Sequence, residues 1–306
     1  MKNFSVCAGI VAHNPKAVDI NSLIESLLSC ARWVVVVDNN SADTSYLKDL
    51  KLRPELRVIC NAQNRGMSGG INQIIEYARE MKAEYVTAYD QDTKISDDLV
   101  SILAADLQKL IESGERVAGI GPLVIDDFTN NTLPFVLFRF PFNARYSGKA
   151  RAKEDCVVEC SFLISSGCLM SMKAIEEIGA MNESLFIDNV DLDWCFRAAD
   201  KRYKVYGNFA GVIRQRIGEN CTQIPFTNSV IRYHDFNRNY YMTRNRFWLY
   251  RQAYAKGSWV VHDVCRFASK LLYLLVFRKG RITLIKSSVK GILDSFAVQS
   301  YEESSL

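Results

Sequence analysis

Several features that mark whole classes of protein are missing from this chain of 306 residues. No apolar run reaches the ~18–20 residues that a membrane-spanning helix needs, so no such helix is predicted. The N-terminus has no basic segment followed by a continuous apolar core, so we predict no signal peptide and expect a cytoplasmic protein. The net charge is only +4 and the charges are spread out, which argues against nucleic acid as a partner.

Paired cysteines are also missing. The nine cysteines contain no C-x-x-C pair, and most lie in apolar runs, so we expect buried, reduced thiols. Hydrophobic residues make up 48% and charged residues 24% of the chain, as in an ordinary soluble globular protein. The length is sufficient for one large or two small domains with a substantial core.

Apolar runs alternate with helical patterns through the first 124 residues. The predicted strands are residues 4–12, 33–37, 56–60, 85–89 and 117–124. The predicted helices are residues 20–31, 71–81 and 97–113. This β-α-β-α order predicts an open, Rossmann-like α/β sheet, in which ligands bind outside the carboxyl ends of the strands.

Polar residues follow four of these strands at the expected ligand-binding edge. They are His13, Asp38, Asn64, and the pair Asp90 and Asp92. Because the carboxyl ends of parallel strands meet at one edge, we expect these clusters to converge on one site. Their convergence is a stronger indication of function than any one cluster alone.

Asp90 and Asp92 would point the same way from an extended strand end, because side chains alternate with a period of two. Two hard oxygen ligands on one side suit a divalent cation that bridges phosphates. The alternative is that these acids only end the strand and turn the chain. The small residues between Asn64 and Gly70 also have two interpretations, a phosphate site at a helix N-terminus or an ordinary turn.

The second half of the chain changes character. Residues 126–165 have short β-like pieces and no clear helix, which predicts an antiparallel extension or a flap over the site. A helix to about Ala199 begins with acids in its first turn. N-capping and the helix dipole explain Asp188 well. They explain Asp191 and Asp193 less well, because an aromatic side chain beside a carboxylate on one helix face, as with Trp194 and Asp191, is also a sugar-binding arrangement.

The last third has two basic stretches. Residues 238–246 are dense in Arg, Tyr and Asn, which indicates either a solvated helix or a surface for phosphate or an anionic acceptor. Residues 259–296 mix apolar and basic residues. This mixture suits peripheral contact with an anionic membrane, although a packed helical cap explains the apolar positions as well. We therefore predict a first domain over residues 1–250 and an amphipathic helical region over 251–306.

Several of these motifs, taken in order, resemble the inverting family 2 glycosyltransferases of GT-A fold, most closely their bacterial rhamnosyltransferase branch. The similarity runs from about residue 4 to residue 250. Its carriers are His13-Asn14-Pro15, Val37-Asp38-Asn39-Asn40-Ser41, Asn64-Arg65-Gly66 with Asn72, Asp90-Gln91-Asp92, Ser166-Gly167-Cys168-Leu169, Phe186-Ile187-Asp188-Asn189-Val190-Asp191, and Arg238-Asn239-Tyr240-Tyr241 with Arg244-Asn245.

The resemblance implies a role for each matching position. Asp191 would be the catalytic base, and Asp92 with Asp90 would hold Mg²⁺ or Mn²⁺. A nucleotide sugar, dTDP-β-L-rhamnose for this branch, would be bound by a set of polar residues. They are His13, Asn14, Asp38, Asn40, Asn64, Gly66, Asn72, Asp90 and Gln91. Trp194 and Arg197 would contact the acceptor, expected to be a lipid-linked or saccharide glycan of a surface polysaccharide at the inner face of the cytoplasmic membrane.

The chain departs from the family pattern at Gln215, where relatives often have a His three residues before a Gly. Either Gln215 or His234 could complete the metal site. Three alternatives to rhamnosyl transfer also remain open. The first is transfer of another sugar. The second is a nucleotidyltransferase, which would need a basic phosphate loop behind the first strand. The third is a catalytically silent subunit of an assembly complex.

Overall fold

A nine-stranded mixed sheet forms the centre of the molecule in the computed structural model, which describes residues 4–147, 156–216, 220–223, 230–233, 235–277 and 280–299. The strands are β1 (Val6–Ala12), β2 (Trp33–Asp38), β3 (Leu56–Cys60), β4 (Tyr85–Asp90), β5 (Lys94–Ile95), β6 (Val117–Asp126), β7 (Phe135–Leu137), β8 (Ala144–Tyr146), β9 (Val157–Cys160), β10 (Leu169–Ser171), β11 (Lys204–Gln215), β12 (Asn220–Gln223) and β13 (Val230–Tyr233).

Helices cover the sheet and extend the chain at its C-terminal end. They are α1 (Ala17–Cys30), α2 (Leu47–Leu50), α3 (Gly66–Glu80), α4 (Leu99–Glu112), α5 (Met172–Ile178), a 3₁₀ turn (Glu183–Leu185), α6 (Val190–Asp200), α7 (Phe236–Leu249), α8 (Gly257–Phe277) and α9 (Arg281–Asp294). The predicted open α/β sheet with a C-terminal helical extension is confirmed.

The sheet runs in the order β3-β2-β1-β4-β10-β6-β11-β5, and β9 pairs with β11. The four strands β3, β2, β1 and β4 are parallel, whereas β10 lies antiparallel between β4 and β6. Val34 to Val37 on β2 are at most 1% exposed, as expected for a β-branched strand with helices on both faces. The parallel half therefore brings the ends of β1 and β4 together.

Helix α3 begins five residues earlier than the predicted start at residue 71, because the small residues belong to its first turn. Gly66 has a left-handed φ of +71°, and a Cβ there would lie 2.3 Å from the carbonyl oxygen of Phe186. A Cβ at Gly70 would lie 2.6 Å from Val11 on β1. These glycines therefore allow α3 to approach the sheet and the Phe186 segment closely.

The predicted helix-free extension after β6 is present. Within the described parts of residues 126–165 there are only short strands: β7 and β8 form a separate hairpin, and β9 joins the sheet antiparallel to β11. Among the described helices, none combines the length and the apolar character needed to cross a membrane. The division into residues 1–250 and 251–306 stays a prediction.

Candidate active site

A cavity of about 840 Å³ opens at the carboxyl ends of β1 and β4, where the polar clusters were expected to converge. It is lined by Val11, His13, Asn39, Asn64, Gly66, Met67, Asp90, Gln91, Asp92, Ile164, Ser165, Phe186, Ile187, Asp188, Asn189, Val190, Asp191, Gln215, Arg216 and Arg238. Seven of the predicted site residues are in this set: His13, Asn64, Gly66, Asp90, Gln91, Asp92 and Asp191.

Asn39, which is not among the predicted site residues, connects the loops at this edge. Its side chain is 2% exposed and donates through Nδ2 to Gly66 O at 2.8 Å. Its Oδ1 accepts from Arg65 N at 2.9 Å and from Asn61 Nδ2 at 3.0 Å. Its carbonyl oxygen lies 3.0 Å from Nδ1 of His13. The signal available in the sequence was its position directly after the carboxyl end of β2.

The first turn of α3 has little capacity left for a phosphate. Gly66 N donates to Asn64 Oδ1 at 2.8 Å, and Arg65 N donates to Asn39 Oδ1. Ser68 N donates to Phe186 O at 3.2 Å. These three backbone donors are already used, so the geometry does not support the phosphate interpretation of this turn.

Asp90 and Asp92 line the cavity together, although not from an extended strand end as predicted. β4 ends at Asp90, and the next residues form a turn closed by Thr93 N donating to Asp90 O at 3.0 Å. Burial and then the neighbouring Asp92 raise the pKa of Asp90 to about 6. The pKa of Asp92 is also raised, mainly by desolvation.

Gln215 lies at the end of β11, lines the cavity and is 5% exposed. Its Oε1 accepts from Thr93 Oγ1 at 3.4 Å, and Thr93 Oγ1 lies 2.9 Å from Ser166 Oγ. Ser166 Oγ in turn accepts from Asp90 N at 3.2 Å. A chain of hydrogen bonds therefore connects Gln215 to the backbone of Asp90. His234 lies outside the described residues.

Asp191, the predicted base, stands in the first turn of α6 and faces the cavity. Burial, followed by backbone hydrogen bonds that act in the opposite direction and by the nearby charge of Asp188, sets its pKa at about 6. Its Oδ1 accepts from Leu192 N at 2.8 Å. A carboxylate with this pKa is largely ionised at neutral pH and can accept a proton.

The residues before Asp191 adopt an unusual backbone, and we call residues 186–189 the site loop. Phe186, Asp188 and Asn189 have φ values of 65°, 62° and 61°, a conformation that costs energy outside glycine. Asn245 of α7 is fully buried and donates through Nδ2 to the carbonyl oxygens of Leu185, Ile187 and Asp188 at 2.7–2.9 Å. These contacts hold the site loop in its left-handed conformation.

Asp188 does not cap α6, contrary to the N-cap interpretation. The residue at the cap is Asn189, in left-handed conformation and without a side-chain capping bond. Asp188 instead pairs with Arg238 of α7, which donates from Nε at 3.0 Å and from Nη2 at 3.1 Å. A bidentate guanidinium–carboxylate pair thus lies in the cavity wall, near Asp191 and Asp90.

Trp194 and Arg197, expected to contact the acceptor, are in the core. Trp194 is 2% exposed and donates from Nε1 to Gly179 O at 3.0 Å. Arg197 is 6% exposed, forms an ion pair with the buried Asp193 at 3.0 Å and donates to Ile178 O and Ala180 O. Their hydrogen bonds hold the end of α5 against α6, so their placement argues against acceptor contact.

Four further predicted residues lie next to the cavity without lining it, and three of them connect loops. Asp38 is 2% exposed and accepts from Tyr46 Oη and Ser41 N. Asn14 N donates to Ser41 Oγ, and Asn14 Oδ1 accepts from Ala42 N. The side chain of Asn72 donates to Met181 O and accepts from Met181 N. The fourth, Asn40, is exposed and left-handed. None of the four lines the cavity in this structure, and their contact with the donor stays a prediction.

The charges of the lining residues are unbalanced. The cavity holds four carboxylates, those of Asp90, Asp92, Asp188 and Asp191, against the guanidiniums of Arg216 and Arg238. The repulsion between Asp90 and Asp92 contributes to the raised pKa of Asp90. An anionic ligand could enter this cavity only with a cation that offsets the carboxylates.

The model of the Glycosyl transferase family 2 matches residues 7–179, which is more than half of the chain and includes β1, β4 and the Asp90–Asp92 turn. The chain belongs to glycosyl transferase family 2. Asp191 and the helices α7 to α9 lie beyond the matched segment.

Relatives extend the similarity to the rest of the chain. A dTDP-rhamnosyl transferase RfbF of Shigella flexneri is 29% identical over an alignment of 302 residues, and the match covers 95% of this chain and 95% of the relative. The low-salt glycan biosynthesis hexosyltransferase Agl10 of Haloferax volcanii is 25% identical over 244 residues, 77% of this chain and 74% of the relative.

Solved structures support the fold. GalNAc-T7, crystallised with UDP, GalNAc and Mn²⁺, superposes with a TM-score of 0.58 at 12% identity; the match covers 96% of this chain and 56% of the GalNAc-T7 chain. Residues 1–349 of S. aureus TarS, in complex with UDP-GlcNAc, give 0.54 at 16% identity, covering 96% of this chain and 81% of that one. The sheet of this family 2 glycosyltransferase thus resembles the GT-A fold, as predicted.

The donor set of this family 2 site fits a divalent cation. Among the described residues, no three Asp, Glu, His or Cys side chains form a group that could hold a metal by themselves. However, Mg²⁺ is usually bound by one or two carboxylates together with substrate phosphates. Asp90 and Asp92 supply the carboxylates, and Gln215 supplies a hard amide oxygen in the same cavity.

Proposed function

We propose that this family 2 glycosyltransferase transfers L-rhamnose from dTDP-L-rhamnose, with inversion, to a lipid-linked or saccharide acceptor in surface polysaccharide synthesis. The observation that carries the proposal is the similarity to dTDP-rhamnosyl transferase RfbF, which extends over 95% of both chains. This similarity includes the regions beyond residue 179 that supply Asp191 and Arg238 to the cavity.

Asp191 is the catalytic base in this proposal. In an inverting transfer, one carboxylate takes the proton of the acceptor hydroxyl as its oxygen attacks the anomeric carbon. Asp191 is suited to this step because its pKa of about 6 leaves it ionised at neutral pH yet basic enough to accept a proton. Asp193 is not, because it is fully buried in its pair with Arg197 and accepts from Tyr254 Oη.

Asp90 and Asp92 hold the divalent cation in this proposal. When bound, Mg²⁺ or Mn²⁺ would neutralise charge on the donor diphosphate and on the departing nucleoside diphosphate. His13, Asn64, Gly66 and Gln91 line the remainder of the same side of the cavity and would bind the nucleotide. The pair between Arg238 and Asp188 orients the site loop beside them.

A second candidate is transfer of another hexose, which the similarity to the hexosyltransferase Agl10 favours. A catalytically silent subunit receives no such support, since the carboxylates of Asp92 and Asp191 both face the cavity. The nucleotidyltransferase alternative is set aside by membership in glycosyl transferase family 2.

The test is a panel of nucleotide sugars offered to the purified full chain with Mg²⁺ or Mn²⁺. The panel contains dTDP-L-rhamnose, UDP-glucose, UDP-GlcNAc and GDP-mannose, and the readouts are thermal stabilisation and release of nucleoside diphosphate. We expect dTDP-L-rhamnose to give the largest stabilisation and the fastest release. Release from a UDP- or GDP-hexose with none from dTDP-L-rhamnose would replace rhamnosyl transfer with hexosyl transfer.

A further inference from the structure

Exposed apolar side chains concentrate on the C-terminal helices. Of the sixteen large hydrophobic residues that are exposed in the described part of the chain, ten lie on α8, on α9 or just after α9. We call these ten the outer face: Val261, Val264, Leu272, Val276, Phe277, Ile282, Ile285, Val289, Leu293 and Phe296. Patches of this kind on a soluble domain mark an interaction surface.

Helix α9 is amphipathic, but its outward face carries the apolar side chains, whereas the outward face of a solvated helix is polar. The inner face of α9 contains one large apolar residue, Leu284, and is otherwise small and polar. Asn239 of α7 donates to Ser287 Oγ at 2.9 Å and Ser288 Oγ at 3.1 Å. Gly291 lies against the same helix. The outward positions of α9 carry apolar residues at spacings of three and four, namely Ile282, Ile285, Val289, Leu293 and, just past the helix end, Phe296. A solvated helix would show the opposite pattern.

Helix α8 presents a second apolar stripe. Val261, Val264, Leu272 and Val276 recur at the spacing of one helix face, and all four are at least 44% exposed. The opposite side of α8 packs on α7 through Asp263, which pairs with Arg246 at 2.6 Å. Both helices thus make polar contacts inward beside a few buried apolar residues, Trp259, Leu274 and Leu284, and carry most of their large apolar side chains outward.

The charge of this region identifies the kind of surface that would cover it. Residues 257–296, which span α8 and α9, contain seven Lys or Arg, two Asp and no Glu. Both carboxylates are bonded to α7, Asp263 to Arg246 and Asp294 to Tyr240 Oη. The side chain of Arg266 is 72% exposed, and Lys286 and Lys290 are exposed beside the apolar stripe of α9. Two copies of such a face would repel each other, whereas an anionic lipid surface would attract it.

We propose that the outer face of α8 and α9 lies in the interface of an anionic membrane, with its apolar side chains among the acyl chains and its basic residues at the headgroups. The surface is close to the active site. α9 packs on α7, and the first turn of α7 carries Arg238, which lines the cavity. Packed helices generally have axes about 8–10 Å apart, so the outer face is separated from the α7 residues of the cavity by a single layer of helix packing.

The experiment is flotation of the full chain with vesicles, without any nucleotide sugar, so that it is independent of the donor. Vesicles of phosphatidylcholine alone are compared with vesicles that also contain phosphatidylglycerol, at about 0.01 M and about 1 M salt. We expect binding to the anionic vesicles at low salt and weaker binding at high salt.

Two sets of variants separate the apolar and the basic contributions. Leu272→Ser, Ile282→Ser and Leu293→Ser combined should lower vesicle affinity at least tenfold, whereas Val18→Ser, Leu52→Ser and Phe142→Ser combined, equally exposed elsewhere, should not. Lys286→Gln with Lys290→Gln should lower it about fivefold per lysine, because each is worth about 1 kcal/mol at an anionic surface. Lys48→Gln with Lys51→Gln is the control.

Four results would overturn the proposal. The first is no binding to anionic vesicles at low salt, and the second is equal binding of the Leu272, Ile282 and Leu293 variant and the wild type. The third is equal binding to neutral and anionic vesicles, which contradicts the charge argument. The fourth is a dimer in sedimentation velocity that the same triple variant dissociates, which would make the outer face an interface between copies.

Discussion

The cavity has two walls that are built in different ways. The strand wall consists of residues that follow β1 and β4, namely His13, Asp90, Gln91 and Asp92. The loop wall consists of the site loop, Asp191 and Arg238. Parallel strands place the strand wall, because their carboxyl ends meet at one edge. The loop wall has a backbone that is unfavourable by itself and takes its shape from hydrogen bonds to α7.

Because the two walls are built differently, we expect them to have different functions. The strand wall binds the donor and its cation in our proposal, on a rigid sheet edge. The loop wall carries the base and depends on a helix from the far end of the chain. Damage to the loop wall should therefore slow the chemistry, and damage to the strand wall should weaken donor and metal binding.

Asp191→Asn should have the largest effect. Loss of the base is expected to lower kcat by about 10²–10⁴-fold with little change in donor KM. Steady-state kinetics checks this result. Asp193→Asn is the control on the same helix: it disturbs a buried ion pair, so it should lower the melting temperature while the folded enzyme keeps its kcat. Preserved kcat with a large loss of donor affinity in Asp191→Asn would move this residue to donor binding.

Asn245→Ala should have the next largest effect, since it removes the amide that binds two carbonyl oxygens of the loop wall and the carbonyl oxygen of Leu185 just before it. A displaced base is expected to lower kcat by up to about 10²-fold, with donor KM nearly unchanged. Asn239→Ala on the same helix removes an amide that faces α9 instead, and its kcat should stay near that of the wild type. Equal losses in the two variants would show that α7 stabilises the fold only.

The pH dependence of stability distinguishes the walls less strongly, because both hold a carboxyl with a pKa of about 6. A folded-state pKa above the unfolded value of about 4 favours the folded protein at low pH, and this contribution is lost as the pH rises through 6. Asp191→Asn should therefore stabilise the fold by about 1–3 kcal/mol at pH 7 and much less near pH 4. Denaturant unfolding at both pH values measures this. Equal stabilisation at both would contradict the raised pKa.

Gln215→His is expected to have the smallest effect and examines the proposed metal site, to which the strand wall contributes Asp90 and Asp92. An imidazole suits transition metals better than an amide oxygen does, so the variant should tighten Mn²⁺ a few-fold more than Mg²⁺. Metal titration measured by calorimetry checks the change. If His234→Ala abolishes metal activation while Gln215→His has no effect, the assignment of Gln215 to the metal site is wrong.

The sequence was sufficient for the strand wall because its determinants are local. β-branched runs and the polar residues after them predict strand ends, and parallel pairing brings these ends together. The same reasoning did not place Trp194 and Arg197, which are buried. Helical spacing predicts which residues share a face with Asp191, but it does not tell which of them turn toward the core.

The loop wall could not be derived from local patterns. Asn245 lies nearly sixty residues beyond the carbonyl groups that it binds, and its role depends on how α7 packs. The sequence predicts a helix cap at Asp188 because acids are common at helix N-termini. In the structure the partner of Asp188 is Arg238 instead. The outward apolar stripes of α8 and α9 likewise require knowledge of which helix faces are covered.

The central claim is that the carboxylates of the strand wall bind a donor diphosphate through a divalent cation. Its most direct test is calorimetric titration of dTDP into the full chain, once with Mg²⁺ and once with EDTA. The account predicts binding at least tenfold tighter with Mg²⁺ for the wild type, a gain that Asp92→Asn loses and Asp193→Asn keeps. Equal affinity of the wild type in Mg²⁺ and in EDTA would contradict it.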